Sequence, residues 1–215
     1  MSAGYVRRHI LGINYFWQVP NCRNNTPQKR GISMSVKLED AKRAAIAAKL
    51  ADMRAIQHQL IDNYNALIID CPDHNISNRL EVLLQDDQMN LEIIDTVIIQ
   101  YGIKAEPRFA VAMMIEYARK IMASSLSSFF EKVAEHELIK HSQTIAGILI
   151  HKAALIIGTD VAIAIAPLNK VNFDNRSHQE QLKRIMEMLN TVELTGKAAD
   201  QSLLAKVEDA IGERS

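Results

Sequence analysis

The sequence predicts an all-α fold, an antiparallel four-helix bundle with one or two additional short C-terminal helices. The composition supports this, since hydrophobic residues make up 48% of the 215-residue chain and aromatic residues only 5%. Such a mix favours helices over β-sandwiches and barrels. Through the body of the chain, apolar residues recur at spacings of three and four, and no strand-like alternation appears. The length suits a single domain.

The first 33 residues differ from the rest. They contain five Lys or Arg residues, no acidic residue and four aromatic residues, together with Pro20 and Pro27. They show no sustained hydrophobic period. We therefore predict a poorly ordered, basic and aromatic extension at 1–33, followed by a single helical-bundle domain at 34–215.

Three explanations of the extension stay open. An export signal is disfavoured, because the apolar run 10–17 is short and no small-residue cleavage site follows it. An organellar transit peptide is a second explanation, since such segments are basic and poor in acids. We favour an upstream extension with the natural start at Met34, because the helical pattern begins directly after it. A tail of this composition could also dock on a partner.

Three prolines, Pro72, Pro107 and Pro167, divide the body. Each disfavours helical conformation in the residue before it, and each is tolerated in a first helical turn. Between them, stripes of apolar residues at helical spacing define the elements. The predicted helical segments are 38–69, 77–101, 107–141, 142–166, a segment from 174 or 177 to 192, and a short last helix at 201–211.

Residues at the segment ends are typical of helix caps. Gly102 follows the second segment and Gly196 follows the fifth, as expected for left-handed C-terminal caps. Ser177 and Glu180 are spaced as in a capping box, which predicts a helix start there.

Segment 142–166 is apolar nearly all round, which raises the question of a membrane. His151, Lys152 and Asp160 interrupt it near mid-depth, where each charge would be costly. A central bundle helix, or one face of a homodimer, explains such a helix better. We therefore predict no membrane partner and name a homodimer through 142–166 as the alternative.

The residues that suggest a function are polar residues at positions where the helical period predicts apolar ones. Asp87 occupies a core position of the second segment, His136 continues the stripe of the third, and His178 that of the fifth. A buried carboxylate needs a partner. Helical bundles build metal sites from inward-facing histidines and carboxylates, and imidazole with carboxylate suits iron or manganese. For each histidine, the competing interpretation is a hydrogen-bonded core or surface residue.

The spacing of residues along the predicted helices adds further candidate metal ligands. His136 and His141 are five residues apart, about 140° around a helix, so that they could straddle a metal ion. Glu137 and His141 are four apart and share a face. His58 lies on the flank of the first segment. The predicted metal ligands are Asp87, His136, His141, His178, Glu137 and His58.

Charge and cysteine content restrict the alternatives. Lys plus Arg and Asp plus Glu both number 25, so the formal charge is zero, and we predict no nucleic-acid partner because a basic footprint is missing. Two cysteines, Cys22 and Cys71, exclude a disulfide scaffold and favour a reducing, cytoplasmic compartment. The sequence has no glycine-rich phosphate loop and no Gly-x-Ser-x-Gly motif.

Four sequence stretches carry a resemblance to known proteins: "AIQHQLID", "LLQDDQMNLEIID", "EKVAEHELIKHSQ" and "HKAALIIGTD". On these, the chain resembles the hemerythrin-like (HHE cation-binding) proteins and, more loosely, the ferritin-like di-iron bundles. It departs from both in ligand spacing, since the pair in the third stretch is five residues apart and Glu-x-x-His does not occur. Only His58 and the pair His136 and His141 match by position.

The resemblance implies a non-haem iron or di-metal centre used for oxygen or peroxide chemistry, or for iron handling. Dioxygen or peroxide would be the small-molecule partner. A di-metal oxidoreductase or a peroxide-degrading activity is the enzyme class that this implies, and a role in oxidative stress would follow. The alternative is a metal-free bundle that acts as an oligomerisation or protein-interaction module.

Overall fold

The computed structural model describes the backbone of residues 31–197 and the side chains of residues 39–197. Within that range it contains helices and no strand, which confirms the all-α class. The predicted extension, up to residue 30, and the predicted helix 201–211 lie outside the described residues. The helices are α1 (Gly31–Asp70), α2 (His74–Tyr101), α3 (Phe109–Ala123), α4 (Phe129–Ile157), α5 (Thr159–Ile165) and α6 (Leu168–Thr195).

The four long helices are α1, α2, α4 and α6, and the two shorter ones lie between them in the chain. The prediction that the short helices are C-terminal is therefore wrong for the part of the chain described. Helix α1 packs against α2, α3 and α4, and α6 packs against α2 and α4. The result is an all-helical bundle.

Local sequence explains where α2 begins and ends. The Asp73 side chain accepts hydrogen bonds from the backbone N–H groups of Asn75 and Ile76, at 2.8 and 3.0 Å, and so caps the first turn. The predicted C-terminal caps are confirmed, since Gly102 has φ 75° and Gly196 has φ 67°. Only glycine adopts this left-handed conformation without strain.

The predicted break between segments 107–141 and 142–166 is wrong. The chain leaves helical conformation after Ala123 and re-enters it at Phe129, and α4 then runs through Ser142 without interruption. Inside the helix, the Ser142 hydroxyl donates to the Leu138 carbonyl oxygen at 3.1 Å. The hydroxyl therefore bonds within the helix, and this serine does not end it.

A capping box decides where α4 begins. The Ser128 hydroxyl accepts from the Glu131 backbone N–H, and the Glu131 carboxylate accepts from the Ser128 N–H at 2.7 Å. The capping box predicted at Ser177 and Glu180 is wrong, because both residues lie inside α6. That helix starts directly after Pro167, whose ring suits a helix start.

We expect Ser128→Ala to lower the free energy of unfolding by about 1 kcal/mol, because the Glu131 backbone N–H loses its hydrogen-bond acceptor. Urea unfolding of wild type and variant measures this. Ser177→Ala, inside α6, is the matched control and should stay close to wild type. Equal losses in the two variants would contradict the assignment of the cap.

Three apolar clusters fill the interior in the described range. One includes Leu50 and Ile150, a second includes Leu80 and Leu182, and a third includes Leu60 and Ile139. On α2 and α6 all of the buried polar residues, and on α4 most of them, fall in sequence between members of the first cluster and members of the second. The bundle therefore has a polar layer between two apolar ones.

None of the helices in the described range has the length and apolarity that a bilayer crossing requires. The apolar surface of the predicted segment 142–166 is shared between α4 and α5. Part of it faces outward, since Leu155 and Ile156 are exposed. A homodimer through this surface stays a prediction.

Candidate functional site

Seven polar side chains from four helices meet in the interior, and none is more than 1% exposed. We call them the central polar layer. Helix α1 contributes one residue, and α2, α4 and α6 contribute two each. The residues are Tyr64, Asp87, Asn90, His136, Lys140, Asn175 and His178.

An ion pair holds the centre of the layer. The Lys140 ammonium donates to Asp87 Oδ2, and both side chains are fully buried. The same Nζ atom lies 3.3 Å from Asn175 Oδ1 and 3.5 Å from His178 Nδ1. Three helices therefore converge on one positive charge. An ammonium provides three N–H donors, and the carboxylate oxygen of Asp87 and the amide oxygen of Asn175 accept from it.

Asp87 is held in its ionised form. Burial by itself raises the pKa of this carboxyl group, but the Lys140 charge and the His178 ring outweigh it and keep the pKa well below its usual range. His178 Nδ1 lies 3.5 Å from Asp87 Oδ1, and its Nε2 lies 3.2 Å from Asp86 Oδ2. Because Asp86 is partly exposed, His178 links the buried pair to the edge of the bundle.

His136 is buried in a different way. Its ring packs on the Tyr64 ring with centroids 4.1 Å apart, and neither ring nitrogen has a hydrogen-bond partner among the described residues. Burial and, to a lesser extent, the nearby Lys140 charge lower the pKa of His136 to about 3. The imidazole is therefore neutral at ordinary pH. Burial also raises the pKa of Tyr64 well above its usual value.

The structure divides the predicted metal ligands between three places. Asp87, His136 and His178 belong to the central polar layer. Glu137 and His141 lie outside it, where the Gln179 side-chain amide is 2.9 Å from an oxygen of the former and Nδ1 of the latter. His58 is exposed and lines a separate cavity between α1 and α2.

Sequence reasoning missed Lys140 and Asn175. Signals for both were present, because Lys140 follows His136 by four residues and Asn175 precedes His178 by three, the spacings that share a helix face. A lysine in a helix is normally solvated, so its position on the buried face carried no weight without its partner Asp87.

The residues of the layer do not fit a metal ion while Lys140 is in place. Asp87 is the only carboxylate among the seven, and its Oδ2 already accepts from an ammonium. A metal cation beside it would face a like charge in a low dielectric. Among the described residues, no three His, Cys, Asp or Glu side chains are grouped so that they could hold a metal. Iron or manganese binding stays a prediction.

A second feature lies on the surface between α4 and α6. Two neighbouring cavities of about 750 and 350 Å³ share Phe173 and Arg176 as lining residues, and we call them together the α4–α6 groove. Phe173 is 74% exposed. The first cavity also has Lys183 and Glu180 in its wall, and the second has Lys152. Glu137 also lines the first cavity, so the groove sets three cationic and two acidic side chains around one exposed aromatic ring on a mostly apolar wall.

Comparison with known proteins gives a similar sequence and a similar structure. The chain is 53% identical over 174 residues to a DNA nickase of Nostoc sp. (strain PCC 7120 / SAG 25.82 / UTEX 2576), a match covering 81% of this chain and 50% of that protein. The chain thus spans about half the length of that curated relative. No protein-family model matches it.

The similar structure is that of the E. coli stress protein YciF. It matches with a TM-score of 0.58 and 16% sequence identity, over 71% of this chain and 97% of that one. At this identity the likeness concerns the fold alone. Together with the four long helices around a polar centre, it shows that the chain shares the all-helical bundle fold of that protein.

Proposed function

We propose that this chain acts on DNA and takes part in nicking one strand of a duplex. The observation that carries the proposal is the 53% identity over 174 residues to a DNA nickase. Identity at this level, over most of the described helices, supports a shared substrate. The chain corresponds to only half of the relative. That this half carries the nicking activity of the whole relative is therefore part of the proposal.

The α4–α6 groove is the surface of the bundle that suits a nucleic acid best. Lys152, Arg176 and Lys183 supply cations that can contact phosphate oxygens. The exposed ring of Phe173 stands between them, and a base freed at a nick can stack on such a ring. Glu137 and Glu180 in the same wall limit how much net positive charge the groove presents.

This proposal opposes the sequence prediction of no nucleic-acid partner. That prediction rested on the zero formal charge of the whole chain. A net charge does not show how the charges are distributed along the chain, since residues 1–33 carry five Lys or Arg and no acid. Phosphate contacts are local and depend on where the cations lie. With few cations engaged, we expect weak binding that is lost as the salt concentration rises.

Conversion of supercoiled plasmid to open circles by the purified, untagged full chain tests the activity. Arg176→Gln should weaken DNA binding, and it should reduce the slope of log affinity against log salt by about 1, since one phosphate contact is lost. The matched control is Arg79→Gln, which removes an exposed cation from α2 and should change neither quantity.

Two results would count against the proposal. Failure of the full chain to bind or nick plasmid at low salt, with and without added Mg²⁺, would refute the activity. Equal effects of Arg176→Gln and Arg79→Gln would refute the role of the groove while leaving the activity intact. The oxygen or peroxide chemistry, the iron handling and the interaction-module alternative stay predictions. Elemental analysis of the same preparation addresses the first two.

A further inference from the structure

The central polar layer repeats the spacing of a bundle metal site with different residues. Di-metal carboxylate bundles place Glu-x-x-His on each of two helices and a glutamate on each of the other two. Here, α2 carries Asp87 and Asn90 three residues apart, and α6 carries Asn175 and His178 three apart. The spacing is the same, but only one of these four side chains, Asp87, is a carboxylate.

The charge in the layer balances without an added ion. Asp87 is its one carboxylate, and Lys140, reaching in from α4, is its one ammonium. Asn175 Oδ1 and His178 Nδ1, which belong to the helix that faces α4, lie at 3.3 and 3.5 Å from that ammonium. These are the kinds of atoms that would otherwise approach a metal cation.

We propose that the Lys140 ammonium is the built-in cation of this bundle and stands where a metal ion would otherwise be held. The bundle therefore keeps its central charge neutral, and its fold intact, without binding iron or manganese in the layer. The proposal is independent of the DNA activity, because no residue of the α4–α6 groove takes part in it.

A side chain shorter than that of Lys140 would leave an empty place in the central polar layer. In Lys140→Ala, Asp87 becomes a buried carboxylate without a counter-ion, which is strongly destabilising. The ammonium and its four-carbon stem are also gone, so a small cation has both the room and the charge to replace it. We expect Mn²⁺ or Zn²⁺ to bind this variant, with Asp87 and His178 as its ligands.

Thermal unfolding of the untagged full chain tests this, with the protein first dialysed against EDTA and then titrated with Mn²⁺ or Zn²⁺. Wild type should melt at the same temperature in both conditions. Lys140→Ala should melt roughly 10 °C lower, and the added metal should recover several degrees of that loss. Lys132→Ala, which removes another lysine of α4 that pairs with Asp70 at 2.7 Å, should not respond to metal.

A second variant keeps the proposal testable if Lys140→Ala does not fold. Asp87→Asn with Lys140→Met replaces the pair by neutral groups, and such replacements of buried ion pairs are tolerated. It should fold, melt close to wild type and ignore metal. The proposal is overturned if wild type binds stoichiometric metal and loses stability in EDTA. It is equally overturned if the double variant is unfolded, or if a folded Lys140→Ala does not respond to either metal.

Discussion

His136→Phe is expected to remove most of the stability loss that the wild-type protein suffers as the pH falls from 6.5 towards 3. Burial lowers the pKa of His136 to about 3 in the folded state, against about 6.5 in an unfolded chain. The unfolded chain therefore binds an extra proton between these values. The stability contribution of the neutral ring is complete above pH 6.5 and is lost progressively below it, by roughly 4–5 kcal/mol in all.

The neighbouring charges do not reverse this direction. Lys140 on the same helix and His178 on α6 lower the pKa of His136, whereas Asp87 on α2 raises it. Asp87 itself has a lowered pKa, so its contribution is present above its unfolded value near 4 and is lost only at lower pH. Between pH 6.5 and 4 the acid sensitivity should therefore come chiefly from His136.

Urea unfolding at half-unit steps from pH 7.5 to 4 measures the effect. Wild type should lose stability steadily over this range, whereas His136→Phe, whose ring still packs on Tyr64, should stay nearly level. His58→Gln removes an exposed histidine and should follow the wild-type curve. A His136→Phe curve parallel to wild type would show that the buried ring is not the titrating group.

Gly147→Ala is expected to destabilise the protein by about 1–3 kcal/mol, the range for overpacking a filled interior. Gly147 lies where α4 meets α6, and a Cβ atom there would stand 1.8 Å from Asn172 Oδ1 and 2.7 Å from its Cγ. Asn172 is itself buried, so its side chain must leave its packed position before the Cβ atom can fit. Without that neighbour, the same change would stabilise the helix by about 0.5–1 kcal/mol, because alanine loses less entropy than glycine.

The expected effect of Gly147→Ala on stability therefore changes sign when the Asn172 side chain is removed. Gly147→Ala measured in an Asn172→Ala background should be neutral or stabilising, since the clashing atoms are gone. Four unfolding free energies, from wild type, the two single variants and the double variant, give the coupling between the positions. A coupling near zero would mean that the helices adjust at no cost and that the close approach at Gly147 does not govern their packing.

Helix class and several helix ends were predictable because they depend on local chemistry. The period of the apolar residues identified the helices, and the glycines at 102 and 196 marked where two of them end. The errors arose where local signals compete. Five small or polar residues, at 123–125 and 127–128, flank Leu126, and only the capping contact between Ser128 and Glu131 shows that α4 begins there.

The candidate site was predictable in part. Asp87, His136 and His178 were recognised because each interrupts an apolar stripe, and the structure buries all three together. Their shared role was not predictable, since it depends on Lys140. A lysine adjacent to no acid in sequence reads as a solvated residue. Only the packing of α2 against the other helices brings Asp87 to it from 53 positions away in the chain.

The sequence by itself determined that this chain is helical, that its helices have buried faces, and that polar groups lie on those faces. Those properties follow from spacing along one helix, which sequence records directly. The tertiary structure alone decided which polar groups meet, and so whether Asp87 faces a metal ion or an ammonium. That outcome depends on distances between helices, because the energy of a buried charge is set by the groups that surround it.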